Sequence, residues 1–259
     1  LQLTIDTFRV EPLKVEMVPP EPFELPPSTA KDIESLLSSI DITKSAGLDG
    51  MNPLFVRAAS SEISSILSTI LNNCIRQGTF PTEQKSAKLI PLPKVPNTQD
   101  PSKHRPLSIL PALSKVYEKY IANKIVEYLE QHKLLNKHQS GFRKFHNTQS
   151  ALVHMVDRWS LALGQKNAVG ALAIDMTKAF DCLDHNSIFA SLNRLGLGEC
   201  TILFDYLKNR RQTLISHGVT STEQNVLDGV PQGSILGPLL FIRTLSDIED
   251  VINEAIEMY

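Results

Sequence analysis

The chain has 259 residues, of which 42% are apolar and 21% charged, and its formal net charge is −2. This excludes wholesale disorder and fits one large domain or two small ones. No apolar run is long enough for a membrane-spanning helix. The scattered Cys74, Cys182 and Cys200 exclude a disulfide scaffold or Cys-rich zinc site and fit a reducing compartment.

The small net charge hides a strong asymmetry. Residues 85–144 carry twelve Lys and Arg against four Asp and Glu, a surplus of eight positive charges. Residues 1–50 and 244–259 each carry a surplus of five negative charges. A basic stretch of this length points to a polyanionic partner, with lysines solvated on helix surfaces as the plain alternative. The N-terminus, LQLTIDTFRVEP, shows no basic-then-apolar leader pattern.

Residues 1–27 are proline-rich and read as an extended arm, with Pro19, Pro20, Pro22, Pro26 and Pro27. Thr29 with Asp32 suits the start of a helix carrying Ile33, Leu36, Leu37 and Ile40. The loop KSAGLDG follows, and Asn52-Pro53 reads as a second helix start. An amphipathic helix with Ile63, Ile66, Leu67, Ile70, Leu71, Cys74 and Ile75 inward stops at Gly78. Residues 85–95, with their prolines, predict an edge strand or hairpin arm.

Leu113, Val116, Tyr117, Tyr120, Ile121, Ile125, Tyr128 and Leu129 predict a long helix, with Lys115, Lys119 and Lys124 off its buried stripe. The spacing predicts another from about Gln149 to Leu163, with Leu152, Val156, Trp159 and Leu163 inward. The unbroken apolar run Val169–Ile174 predicts a strand buried on both faces and ending at Asp175. Helices at about Asn186–Leu195 and Cys200–Asn209 come next. Strands at 212–217 and 222–228 are joined by a turn near Gly218, and a closing helix carries Leu239, Phe241, Leu245, Ile248 and Ile252.

Two segments carry chemistry. In IDMTKAFDCLDH, Asp175 presents a carboxylate at a strand end, where hard oxygen ligands suit a divalent ion bridging to phosphates; a helix cap or an Arg partner is the plain alternative. In GVPQGSILGPLLF, Gly229 and Gly233 permit close backbone approach, and Gln232 sits beside Pro231 in a stiff turn. The lysine of a phosphate-binding P-loop is missing, so alone this is a rigid turn. The histidines lack metal-ligand spacing, and His185 reads as a structural contact. Tyr117, Tyr120 and Tyr128 read as core, and Cys182 has no activating partner.

In order and wording these segments resemble the reverse transcriptase domain of a non-LTR (LINE-type) retrotransposon. The likeness runs through KSAGLDGM, IPLPKVPNTQDPSKHRPLSILPALSKVYEKYIANKI, QSGFRKFHNTQSAL, IDMTKAFDCLDH and GVPQGSILGPLLF, covering roughly residues 30–259. It implies an α+β right-hand polymerase, helix-rich with a small antiparallel palm sheet. Residues 1–27 would be the arm, 28–84 an N-terminal helical extension, 85–168 the fingers and 169–259 an incomplete palm. It also implies an RNA template, a DNA primer, a deoxynucleoside triphosphate (dNTP), two Mg²⁺ or Mn²⁺ ions and an intracellular setting in nucleus or cytoplasm.

The resemblance assigns roles by position. Asp175 would be the first catalytic, metal-binding aspartate. Phe180 would lie under the sugar of the incoming nucleotide and exclude a 2′-hydroxyl. Gln232 and Gly233 would contact that nucleotide or the template. Arg105, with Lys94 or Lys103, would hold the triphosphate. Arg143, Lys144 and the basic flank with Lys115 and Lys119 would meet the template backbone.

The sequence departs from the family pattern at its end. Tyr259 resembles the aromatic residue that opens the aromatic-Ala-Asp-Asp hairpin, whose two aspartates do not follow, and no thumb follows either. Asp175 alone cannot hold two ions beside a triphosphate. The expectation is that these residues by themselves do not polymerise, that Val169–Ile174 lacks a neighbouring strand and that the isolated chain is poorly soluble. Asp181 and Asp184 are candidates to compensate, but they lie beyond Phe180, and the resemblance gives them no such role. A catalytically dead nucleic-acid-binding remnant is the alternative function. A phosphatase built on Asp175 is disfavoured, because Thr177 stands where such sites carry a second carboxylate.

Overall fold

A computed structural model describes residues 21–135, 139–171, 173 and 178–246. The described end of the arm is extended, as its prolines dictate, and it docks. Phe23 N–H donates to the Gly196 carbonyl at 2.8 Å, and the Tyr120 hydroxyl donates to the Pro26 carbonyl at 3.0 Å.

Helix α1 (Ala30–Ser38) opens on a capping box in which the Thr29 side chain and Asp32 satisfy each other's backbone N–H groups. Helix α2 (Pro53–Ala58) is capped by Asn52, and α3 (Ser60–Gln77) ends at Gly78 in the left-handed conformation. Leu67 and Leu71 of α3 are buried as the periodicity predicts, but Ile66 and Ile70 are exposed. Ser64 and Ser68 are buried instead. The contact here is polar: Ser68 Oγ donates to the Ser28 carbonyl at 2.9 Å, and Asn72 Nδ2 donates to the same oxygen, so Ser28 holds Ser68 and Asn72 against the chain that precedes α1.

The long helix α4 (Ala112–Gln131) is the axis of the core. Val116, Tyr117, Tyr120, Ile121, Ile125, Tyr128 and Leu129 are all buried along it, and α1 packs on it. Phe80 packs edge-on to Tyr117 at 6.4 Å. Helix α5 (Thr148–Gly164) forms where predicted, with Asn147 as its cap, but none of its residues is buried. Leu152, Val156 and Leu163, expected inward, are exposed. Helices α6 (His185–Arg194) and α7 (Thr201–Leu207) carry the buried Ile188, Leu192, Ile202, Leu203 and Tyr206. Helix α8 (Leu236–Ser246) packs on α4 and α6.

One small sheet completes an α+β architecture. Strand β1 (Ser86–Pro93) pairs antiparallel with β2 (His104–Ile109) and parallel with β3 (Arg210–Ser216). Beyond β3 lie the short β4 (Val219–Thr220) and β5 (Gln224–Val226), both antiparallel to it. The sheet is therefore mixed, which corrects the antiparallel expectation. The long helical connection from β1 to β3 permits the parallel pair, which a tight hairpin could not form. β1 is the hairpin arm that its sequence allowed, paired with β2, and it is interior rather than an edge. Its prolines fit there because pairing with β3 covers only Ser86–Leu89, so Pro91 and Pro93 face no partner on that side.

The predicted strand at 169–174 is not found in its described part. Residues 169–171 and 173 are unpaired and exposed. An apolar run becomes a strand only where a neighbour satisfies its backbone, and no described strand lies beside this one.

Candidate functional site

Three segments far apart in sequence converge: Lys178–Leu183, Gly229–Ser234 and Ser108 of β2. Lys178 adopts φ +53°, and the Asp181 N–H donates back to the Lys178 carbonyl at 2.8 Å. The resulting turn aligns its carbonyls with the second segment. Val230 N–H donates to the Phe180 carbonyl and Gly229 N–H to the Leu183 carbonyl, both at 2.8 Å. A Cβ on Gly229, at φ +79°, would lie 2.7 Å from the Phe180 and Asp181 carbonyl oxygens, so only glycine allows this approach.

The third segment is joined by Ser108 N–H, which donates to the Gln232 carbonyl at 2.8 Å. Gly233 adopts φ +126°, and a Cβ there would lie 2.5 Å from the Ser108 carbonyl oxygen. Gln232 Nε2 donates to Asp181 Oδ1 at 2.9 Å, linking two of the motifs through side chains. The His185 ring bonds through Nε2 to the Gly229 carbonyl at 2.8 Å, the structural contact expected of it.

Behind this turn stands a group that the sequence reading did not single out. Glu118 of α4 is fully buried. Its Oε2 accepts the Ile235 and Leu236 N–H groups at 2.6 and 3.3 Å, and Oε1 accepts the Ser114 hydroxyl at 3.0 Å. Glu118 therefore caps α8 from another helix, placing a carboxylate where helix amides lack internal partners. The Tyr206 phenol is pushed well above its ordinary ionisation range, first by burial and then by the Glu118 charge, with Arg210 opposing. The Arg210 guanidinium lies 4.7 Å over the Tyr206 ring and donates to the Tyr206 carbonyl at 3.1 Å. The available signal was an acidic residue in helical phase with Ile121 and Ile125.

Phe180 lies in a row of aromatic rings. Its ring stacks on Phe241 of α8, with centroids 4.6 Å apart and planes inclined by 25°, and meets Phe142 edge-on at 6.2 Å. Phe142 and Phe145 flank Arg143 and Lys144 in a turn where both phenylalanines adopt positive φ. Arg143 is half-buried and donates through Nη1 to the Gln139 carbonyl at 3.3 Å. The exposed Lys144 lies 5.0 Å from the Phe145 ring.

The basic residues divide into groups. Lys94, Lys103 and Arg105 gather, exposed, at one end of the β1–β2 hairpin, where Lys94 N–H donates to the Lys103 carbonyl at 2.8 Å and Leu92 stands opposite Arg105. Arg105 precedes Ser108 by three residues, about 10 Å along the strand. Lys119 is exposed on α4. Lys115 is half-buried, and burial pulls its ionisation below the ordinary lysine range. Two lysines of the basic stretch are engaged otherwise: Lys85 is buried against Asp205 at 2.7 Å, and Lys124 pairs with Glu127 at 2.8 Å.

Asp175 lies outside the described residues. Among the described residues no group of three or more His, Cys, Asp or Glu side chains is placed to hold a metal ion. Asp181 is engaged with Gln232, and Asp184 caps α6 through the Ser187 N–H at 2.8 Å. The contacts made by these two carboxylates are those of structural groups. Nor is any described helix long and apolar enough to cross a membrane.

The family model described as reverse transcriptase (RNA-dependent DNA polymerase) matches residues 92–259. Among curated relatives, the chain is 28% identical over 249 residues to "Probable RNA-directed DNA polymerase from transposon BS" of Drosophila melanogaster, covering 95% of this chain and 27% of that protein. It is 33% identical over 201 residues to the corresponding protein of transposon X-element, covering 76% and 22%. It is 31% identical over 223 residues to "RNA-directed DNA polymerase from mobile element jockey", covering 85% and 24%. The chain spans about a quarter of the length of these relatives. The family uses divalent metal ions in its chemistry. On the match over residues 92–259 and these relatives, the chain belongs to the reverse transcriptase family, in its non-LTR retrotransposon branch.

Proposed function

We propose that the chain supplies the nucleotide-selecting and template-contacting part of an RNA-directed DNA polymerase. Residues 85–168 serve as fingers and 169–259 as palm, with 28–84 as a helical extension and 1–27 as an arm. The reaction is attack of a primer 3′-hydroxyl on the α-phosphate of a dNTP, directed by an RNA template, with pyrophosphate leaving. The observation that supports this reading is the convergence of Phe180, Gln232 and Gly233 beside Ser108, on the strand that leads to Arg105.

In this reading Arg105, Lys94 and Lys103 neutralise the triphosphate, and their exposure at one hairpin end suits that task. Phe180 lies under the sugar. Gln232, its amide engaged by Asp181, holds the base-pair side of the pocket through its fixed backbone. Arg143, Lys144, Lys119 and Lys115 face the template backbone. Asp175 is the assigned ligand for Mg²⁺ or Mn²⁺. When bound, such ions stabilise charge on the attacking and leaving oxygens.

The test is primer extension on an RNA template by the intact protein, beside its Asp175→Asn variant. Loss of the metal ligand is expected to lower the rate on the order of a thousandfold, with RNA binding retained. That binding should weaken steeply with salt, as phosphate-dominated binding does. Equal extension by the variant would overturn the role of Asp175. Salt-sensitive RNA binding with no extension by the parent protein would favour the remnant, a binding module without catalysis.

A further inference from the structure

We infer that Phe241 is a positioning residue for Phe180, and that it sets how strictly the pocket rejects a ribonucleotide. The inference rests on the reading of Phe180 as the sugar contact and goes one step deeper. A ring excludes a 2′-hydroxyl only if it cannot tilt away. A lone phenylalanine side chain turns about two bonds, and relief of a single close contact is enough to move it. The rigidity must therefore come from what surrounds the ring.

Two aromatic neighbours supply it. Phe241 stacks on one face of Phe180, with centroids 4.6 Å apart and planes at 25°. Phe142 meets it edge-on at 6.2 Å and 80°. Both Phe180 and Phe241 pack against the main core, so their stack is continuous with the close-packed interior. The main chain of Phe180 is fixed from the same direction, because Val230 N–H holds its carbonyl at 2.8 Å. α8, which carries Phe241, is in turn held at its first turn by Glu118, through the Ile235 and Leu236 N–H groups. One continuous segment, Gly229 to Phe241, thus fixes both the backbone and the ring of Phe180.

Ring-ring contacts of this kind are worth enough to alter selectivity by roughly three- to tenfold. Removing the stack should therefore leave dNTP insertion nearly intact and raise ribonucleotide insertion. A merely structural role would lower both together.

The experiment is primer extension by the intact protein with dNTP or rNTP, reading the ratio of the two insertion efficiencies. Four proteins are compared: wild type, Phe180→Val, Phe241→Leu and Phe142→Leu. Phe142 is 68% exposed, so its substitution leaves the core untouched and keeps the test valid if Phe241→Leu folds poorly. Discrimination should fall most in Phe180→Val, by roughly three- to tenfold in Phe241→Leu, and less in Phe142→Leu. If Phe180→Val loses discrimination while both neighbours keep it, the inference is overturned and the sugar contact stands. If Phe180→Val also keeps discrimination, the sugar contact falls and the inference falls with it.

Discussion

Helices α4 and α5 obey the same spacing rule and end in opposite environments. In α4 the apolar stripe meets the docked arm, α1 and α8, and Ile121, Ile125 and Leu129 are sealed from solvent. In α5 the helix forms and is capped, yet Leu152, Val153, Val156, Leu161 and Leu163 stay exposed. Periodicity and capping are local properties, and they decide whether a helix forms. Burial is a property of a pair of surfaces, and a one-dimensional pattern cannot say whether the second surface is present.

The strongest way to break this comparison is a matched pair of truncations. Ile121→Ala removes a side chain with 0% exposure, and a cost of about 2–5 kcal/mol is expected. Val156→Ala trims a residue 56% exposed and should change stability by no more than about 0.5 kcal/mol. Urea unfolding of both variants checks the difference. Equal costs would mean that α5 is packed as tightly as α4, and the contrast would be lost.

A second test sharpens what α4 does beyond packing. Glu118 is the charged residue inside its buried face, and it holds the start of α8. Glu118→Ala leaves two backbone N–H groups and the Ser114 hydroxyl without their acceptor. The expected cost is about 2–3 kcal/mol, because hydrogen bonds to a charged group are the stronger kind. The loss should be focused: hydrogen exchange at Ile235 and Leu236 should accelerate more than exchange in α1. Uniform acceleration across both helices would show that Glu118 supports the whole core rather than this one helix start.

Much of this architecture was legible in the sequence. Thr29 with Asp32, Asn52 before Pro53, and Gly78 each mark a helix end through contacts within a few residues, and each is found where expected. The convergence of the IDMTKAFDCLDH and GVPQGSILGPLLF segments was accessible only through resemblance. What joins them is hydrogen bonding across about fifty residues, through the main chain and through Gln232 with Asp181, which leaves no periodic trace. Of the two placements predicted for β1, the hairpin arm is found and the edge is not, for a related reason. Its prolines argue for an edge, but they fall beyond the short stretch that pairs with β3. The face of α3 was read correctly at Ile63, Leu67, Leu71, Cys74 and Ile75 but not at Ile66 and Ile70, because the buried Ser64 and Ser68 are polar. Ser68 is bonded to Ser28, forty residues away, a partner that its own hydrophobicity does not announce.

The smallest expected effect compares two acidic caps. Glu118 caps α8 from another helix and is buried, whereas Asp184 caps α6 from the adjoining residue in solvent. The Ser187 backbone N–H, and then its hydroxyl, hold the Asp184 carboxyl below its ordinary value of 3.8. A carboxylate whose ionisation is lowered on folding stabilises the fold above its unfolded-state value and loses that contribution as pH falls through its folded-state value. Asp184→Asn keeps the shape and an acceptor oxygen while removing the charge. Its stability deficit relative to the parent should therefore be complete at neutral pH and close as pH falls below 3.8. Thermal unfolding across that range measures the gap. A deficit unchanged at low pH would mean that the cap acts through shape alone, and that an exposed carboxylate here differs from Glu118 in kind as well as in degree.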